Sequence, residues 1–353
     1  MGRRITALEV AKEAGVSRSA VSLVLNGRAD GFLAKDTQER IREVADRLGY
    51  RPNLLAQSLR NQRSKVIGIM SDRAVGGAFD GAIIAGADAV AREAGFMTLA
   101  ADTGGEPEKA EPVARLLLDR AVEGLIYLTV GLHETRVVDS FLRVPAALAN
   151  CYPTADSPAA ASLLPVFIPD EPTGGRVAAE HLIALGHRRI AFLRGDDDSP
   201  ASFLREDAFR AAMGNAGLPV REEWVRHGGF RTRPAYAAAT AVLEGPADRR
   251  PTAILAGNDR AAVGVILAAA NLGISVPADL SVVGYDDEAA LADLMVPALT
   301  TVALPLQEMG RRAMASVLAR LEPEAAPAPT SPPAQVLLPC PLVERESTAP
   351  PPT

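Results

Sequence analysis

Apolar positions near the start of the chain recur every three or four residues. Over Thr6–Ala14 they fall on Leu8, Val10 and Ala11, behind Thr6, whose hydroxyl can accept from an unpaired N–H of the first helical turn. A short helix ending at Gly15 is predicted. Ser17 caps a second, Arg18 to Leu25, with Val21, Val24 and Leu25 turned inward and Arg18, Ser19 and Ser22 outward. A third, Thr37 to Leu48, carries the stripe Ile41, Val44, Ala45 and Leu48 and closes at Gly49. Three such helices supply a small core, and the first two form a helix-turn-helix candidate. Pro52 breaks the pattern, so the weakly amphipathic stretch through Ser64 is expected to be a linker that becomes helical only when supported.

From Val66 the rhythm changes. Apolar runs short enough for strands buried on both faces occur at Val66–Met70, Phe96–Ala100, Gly124–Leu128, Ala146–Ala149, Ile190–Leu193, Ala253–Ala256 and Leu280–Gly284. Between them lie helical patterns over Ala82–Ala94, Ala110–Leu118, Arg176–Leu185, Ala208–Ala216 and Ala261–Leu272. Such alternation implies parallel sheets with helices on both faces. The stretch is too long for one sheet and predicts two doubly wound α/β lobes behind a small all-α head. Pro323 to Pro333 is rich in Pro and Ala and is expected to be extended.

Charge sharpens this division. The whole chain of 353 residues carries −6, yet residues 1–65 hold 13 Lys+Arg against 7 Asp+Glu, and the remainder 24 against 36. A basic head on an acidic body is the footprint of local polyanion binding. The two cysteines, Cys151 and Cys340, match neither a paired metal motif nor a disulfide framework. No apolar run approaches the roughly 18 residues of a membrane span, and Met1-Gly2-Arg3-Arg4-Ile5 leads into an amphipathic pattern rather than an export signal. A soluble, cytoplasmic protein is expected.

Several blocks resemble the LacI/GalR family of bacterial repressors, in family order. Val10-Ala-Lys-Glu-Ala-Gly-Val-Ser-Arg-Ser-Ala-Val-Ser-Leu-Val-Leu-Asn26 is similar to its helix-turn-helix, and Gly49-Tyr-Arg-Pro-Asn-Leu-Leu-Ala-Gln-Ser-Leu59 to its hinge. Ala179–Ile190, Gly257-Asn-Asp259, Ser281–Asp287, Pro297–Thr301 and Leu342–Thr348 resemble blocks of its core. The resemblance implies a helix-turn-helix domain at 1–49, a hinge at 50–64 and a two-lobed, periplasmic-binding-protein-like core at 65–346. Its first lobe takes 66–167 and 306–322, its second 168–303 and 323–346, leaving a tail at 347–353.

Carried over by position, the resemblance puts Arg18, Ser19 and Leu23 at base edges and Thr6, Ser17, Ser22 and Asn26 at phosphates. Leu23 departs from the polar residue common there, and the loop from Gly27 to Asp36 is longer than the family pattern. Ala56 and Leu59, one helical turn apart, stand where the family wedges a hinge leucine between base steps of the minor groove. An effector-binding set falls on Asp72, Arg73, Phe79, Asn150, Asp170, Arg205, Phe230, Asn258 and Asp286, between the lobes. Asp, Asn and Arg suit hydroxyls or a carboxylate, and the two phenyl rings suit an apolar face. Leu304 stands where many relatives carry a polar residue.

The implied function is an allosteric repressor, not an enzyme. Its expected partners are operator double-stranded DNA, a sugar or nucleoside-like effector and a second copy of the chain, with nucleoid association on operator binding. A homodimer is favoured because the Pro-rich tail lacks apolar heptads. His181 and His187, six apart, share no helical face; Asp196-Asp-Asp198 lacks the glycine and glutamate of a calcium loop. No nucleophile elbow, Walker loop or dinucleotide fingerprint occurs, so no metal or cofactor is expected. Two other readings compete. A solute receptor would need an export signal and no basic head. A carbohydrate- or nucleoside-processing enzyme would need Asp72, Asp170 and Asp286 as an acid/base set.

Overall fold

A computed structural model describes residues 5–25, 27–50, 63–73, 77–321 and 335–352. The chain forms two compact units, Met1–Ser64 and Lys65–Thr353. The predicted hinge contacts Ala56 and Leu59, and Asn26, lie outside the described residues, as does the Pro-rich stretch.

In the first unit α1 (Ala7–Ala14), α2 (Arg18–Leu25) and α3 (Lys35–Arg47) surround Val10, Val21, Val24, Ile41 and Val44. Thr6 and Glu9 form a capping box on α1, and Gly15 ends it at φ 65°, a left-handed conformation that glycine adopts without a Cβ clash. The Ser17 hydroxyl accepts from the Ala20 N–H at 3.1 Å, which opens α2 at the predicted residue. α3 starts earlier than its apolar stripe, because its first turn, Lys35-Asp-Thr, is polar.

The second unit contains two six-stranded sheets. The first is built from β1 (Val66–Ser71), β2 (Met97–Asp102), β3 (Gly124–Thr135), β4 (Ala146–Pro153), β5 (Val166–Pro169) and β11 (Val336–Leu338), in the order β11-β5-β4-β3-β1-β2. All its described pairings are parallel. The second contains β6 (Ile190–Arg194), β7 (Val225–His227), β8 (Ala253–Ala256), β9 (Ser281–Asp286), β10 (Thr300–Ala303) and β12 (Leu342–Val343), in the order β12-β10-β9-β8-β6-β7. It is parallel except where β12 meets β10. Each sheet has an apolar cluster on both faces, which is why its strands read as unbroken apolar runs.

Helices α4 (Ala78–Glu93), α5 (Ala110–Asp119) and α10 (Leu306–Leu321) cover the first sheet; α6 (Glu171–Ala184), α7 (Pro200–Asn215), α8 (Thr232–Leu243) and α9 (Asp259–Asn271) cover the second. The chain passes between the lobes three times: from β5 into α6, from β10 into α10, and from β11 into β12. Two expectations are corrected here. Residues 336–338, expected in the second lobe, pair with β5 of the first. The expected tail at 347–353 is fastened at its start: Ser347 donates to Val282 O at 2.6 Å and accepts from Thr300 N at 2.8 Å. Ala349 bonds Ser281 and His187. No helix among the described residues is long and apolar enough to cross a membrane.

α4 and α10 touch through glycines. A Cβ on Gly310 would strike the Ile83 carbonyl oxygen, and one on Gly86 the Gln307 carbonyl oxygen. Backbone cannot yield as a flexible side chain can. Gly310→Ala is therefore expected to cost about 3 kcal/mol, the upper end of overpacking penalties, as a fall in the urea midpoint at unchanged slope.

Candidate functional site

Between the two sheets lies an open cleft of about 210 Å³. It forms where the carboxyl ends of both sets of parallel strands face one another, because each βα turn there leaves the sheet and exposes its residues. Arg73 follows β1, Asn150 lies in β4, Phe230 follows β7, and Asp286 ends β9. Phe79 comes from the first turn of α4, Arg205 from α7, and Asn258 caps α9. Seven of the nine expected residues thus share one cavity.

Asp72 and Asp170 do not line it. Asp72 accepts from Val130 N at 3.0 Å and braces β3, and its partly buried carboxyl is raised above the usual range by burial. Asp170 caps α6 by accepting from Thr173 N at 3.1 Å. Both carboxylates accept from backbone N–H groups.

Arg205, at the cavity wall, is held by the protein itself. It is 4% exposed and forked onto Glu171, Nε to Oε2 at 2.7 Å and Nη2 to Oε1 at 2.8 Å. Nη1 donates to Gly257 O at 2.7 Å, and the guanidinium stacks 3.5 Å from the centre of the Tyr285 ring. Three of its five N–H groups are engaged within the protein, leaving two outside these bonds. Glu171, the first residue of α6, was not anticipated; an acid there reads as an ordinary partner for the helix dipole.

The floor beside it is acidic. Asp286 Oδ1 lies 3.7 Å from Arg205 Nη1, and Asp259, fully buried, accepts from the Thr301 hydroxyl and from Glu288 N. Burial pushes Asp259 up to about 6 and Asp286 well above the carboxylate range, the latter against the pull of Arg205. Asn150 and Asp286 hold positive φ, 58° and 115°. Asn150 is fixed by Thr129, whose carbonyl accepts its amide at 3.0 Å and whose hydroxyl donates to its carbonyl at 2.7 Å. Backbone held off its preferred region beside a cavity indicates that the side-chain placement matters.

Other lining residues were not anticipated. Val130 and His133 enter because β3 continues past the apolar run, with a register shift between Leu128 and His133. Asp196 and Asp198 line the cavity with Ser199, while Asp197 turns away to Arg194. Arg260, forked onto Glu288, stands 5.7 Å over the Phe79 ring of the opposite lobe. His187 bonds Thr252, Ser281 and Ala349, and burial lowers its pKa. It serves packing.

On the head, Arg18 and Ser19 are exposed on the first turn of α2. Ser17 and Thr6 are exposed but already cap helices, the Thr6 hydroxyl donating to Glu9 at 2.9 Å. Ser22 and Leu23 are half-buried, and Leu23 packs partly against the head core.

Residues 6–53 match the family model described as bacterial regulatory proteins, lacI family, and residues 179–348 the periplasmic binding protein-like domain. The transcriptional repressor PurR of Vibrio campbellii is 31% identical over 319 residues, 90% of this chain and 92% of its own. The lac repressor dimer bound to operator and the anti-inducer ONPF superposes with a TM-score of 0.76 at 26% identity, over 98% of this chain and 100% of its own. A complex of the transcriptional regulator CelR with cellobiose gives 0.66 at 28% identity, over 98% and 100%.

Two outcomes follow from the floor of the cleft. Arg205→Ala leaves Glu171 charged and buried without its partner, an expected loss of about 3–5 kcal/mol in chemical denaturation; the joint change Arg205→Met with Glu171→Leu is expected to lose much less. Asp259, with a usual value of 3.8, holds its proton in the folded protein up to about 6. That contribution to stability is complete at low pH and fades as pH rises through 6. The unfolding free energy of wild type relative to Asp259→Asn should therefore grow as pH is lowered from 7 to 5, by about 1 kcal/mol.

Proposed function

This chain belongs to the lacI family of bacterial regulatory proteins, and from that membership we propose how it acts: as a homodimer it represses transcription by binding operator DNA through its head, and a small polyhydroxyl effector in the cleft alters that binding. The observation that carries this reading is the union, in one chain, of a basic head containing a helix-turn-helix with a cleft lined by polar groups and two phenyl rings. Arg18 and Ser19 are assigned to base edges, where a guanidinium can fork onto guanine. Ser17, Ser22 and Thr6 are assigned to the phosphate side, and Leu23 to an apolar base contact.

In the cleft, Asn150, Asp286 and the two remaining N–H groups of Arg205 are assigned to ligand hydroxyls, and Phe79 and Phe230 to the ring faces of a sugar or nucleoside. Cellobiose in the CelR complex supports the sugar class. Opposite lobes supply these groups, so ligand binding favours lobe closure, and linkage passes that preference to the DNA-binding state. The same family membership supports a cytoplasmic location, with nucleoid association when operator is bound. The enzyme reading loses its acid/base set, because Asp72 and Asp170 point to backbone N–H groups instead of the cavity. The receptor reading does not account for the head.

Removing residues 1–64 is expected to abolish operator binding measured by fluorescence anisotropy. In the whole chain, affinity should fall about 10³- to 10⁵-fold between 50 and 200 mM salt if six to ten phosphates are contacted. Unchanged affinity after the deletion would overturn the assignment. An effector at about a hundred times its Kd should stabilise the chain by roughly 2.7 kcal/mol, which a thermal-shift screen of sugars and nucleosides will detect.

A further inference from the structure

The loop between α2 and α3 displays an aromatic ring that the head does not use. Arg28 N bonds Leu23 O at 2.9 Å, tying the start of the loop to the last turn of α2. Phe32 N and Leu33 N both bond Ala29 O, at 3.1 and 3.0 Å. Ala29 is 2% exposed and Leu33 packs against the head core, so the chain is anchored on both sides of Phe32. Gln38 of α3, itself buried, donates its amide to Leu33 O at 3.0 Å and reaches Ala29 O at 3.4 Å; Arg42 holds its oxygen at 3.3 Å. A buried glutamine used this way fixes the loop's shape. Phe32 is nevertheless 78% exposed.

A ring left in water by a loose loop carries no message, but this one is held outward by a pinned backbone. Exposed Arg28 and Lys35 flank it, with Asp30 and Asp36 also exposed nearby, on a head whose overall charge is positive. Duplex DNA offers that combination: phosphates for the cations and, between them, the carbon faces of deoxyribose for the ring. We propose that Phe32 is a DNA-contact residue that lays its ring against deoxyribose flanking the groove entered by α2, enlarging the contact beyond the helix-turn-helix itself. Base reading belongs to the first turn of α2, whereas this loop leaves its last turn, which places the ring at backbone rather than at base edges. The assignment rests on the operator-binding reading and adds to it a contact that is apolar and blind to sequence.

The test uses the full chain, a short duplex enriched from random sequence by the wild-type protein, and an unselected duplex of the same length, each titrated across salt. Phe32→Ala is expected to bind both duplexes about tenfold more weakly, in the range of a partly buried phenyl group. The slope of log affinity against log salt should not change, since an apolar contact releases no counterion. Arg18→Ala should instead weaken the selected duplex preferentially. Phe32→Leu keeps an apolar surface and should retain most of the affinity; should alanine lower the unfolding temperature, the Leu variant decides, and its failure to retain binding overturns the proposal. Uracil in place of thymine should leave the alanine effect intact; if the effect vanishes, the ring meets thymine methyls and the sugar assignment falls. Wild-type affinity in Phe32→Ala, a flattened salt slope, or loss of the dimer in sedimentation would each overturn it. Failure of the wild type to enrich any duplex would instead defeat the operator reading on which it rests.

Discussion

Withdrawing a guanidinium from water costs several kcal/mol unless neighbouring groups replace its hydration, and the cleft side of the second lobe is arranged around doing so at Arg205. Glu171 answers two of its nitrogens, Gly257 a third, and Tyr285 covers one face. Each partner comes from a different part of the chain: Glu171 from the start of α6, just after the first crossing between lobes, Gly257 from the turn before α9, and Tyr285 from β9. The fork therefore registers three βα units against one another at the cavity wall. It also offsets the arginine's charge, and two of the five N–H groups stay outside these bonds.

That arrangement explains why the floor can tolerate so many acids. Asp259 is anchored by Thr301 and by the Glu288 N–H, Glu288 by Arg260, and Asp287 by Arg345. Close behind Arg205, Tyr285 rests over Gly174, where a Cβ would collide with its phenol oxygen. A side chain at Gly174 would lift the ring from the guanidinium and loosen the Glu171 fork, so a residue well outside the cavity controls the donors inside it.

Much of this was legible in the sequence. The period of the apolar residues placed the head helices and most strands, since strands buried on both faces, such as Ala253–Ala256, read as apolar runs bounded by turns. Helix α8 was not found, because Thr-Arg-Pro-Ala-Tyr-Ala-Ala-Ala-Thr-Ala-Val-Leu puts alanine on nearly every side and gives no contrast between faces. α7 begins eight residues before its predicted start, at Pro200, where a polar first turn hides it. Residue types at matched positions gathered most of the cleft, but they could not show whether a polar group faces the cavity or its own backbone. Asp72 and Asp170 illustrate that limit: each satisfies a local N–H. Glu171 illustrates the converse, because its partner lies 34 residues away and no local pattern announces a pair formed across two helices.

The three passages of the chain between the lobes bear on how such a protein can diversify. Neither lobe is a contiguous stretch of sequence: the first is completed by α10 and β11, the second by β12 and the fastened residues after it. A single recombination event cannot transplant one lobe intact, and a new ligand preference must arise by substitution at the cavity wall within a shared frame. The head, in contrast, occupies one uninterrupted segment of the chain. A contiguous segment can be exchanged as one piece, so the site that is read on the chromosome and the molecule that is sensed can evolve by different genetic routes.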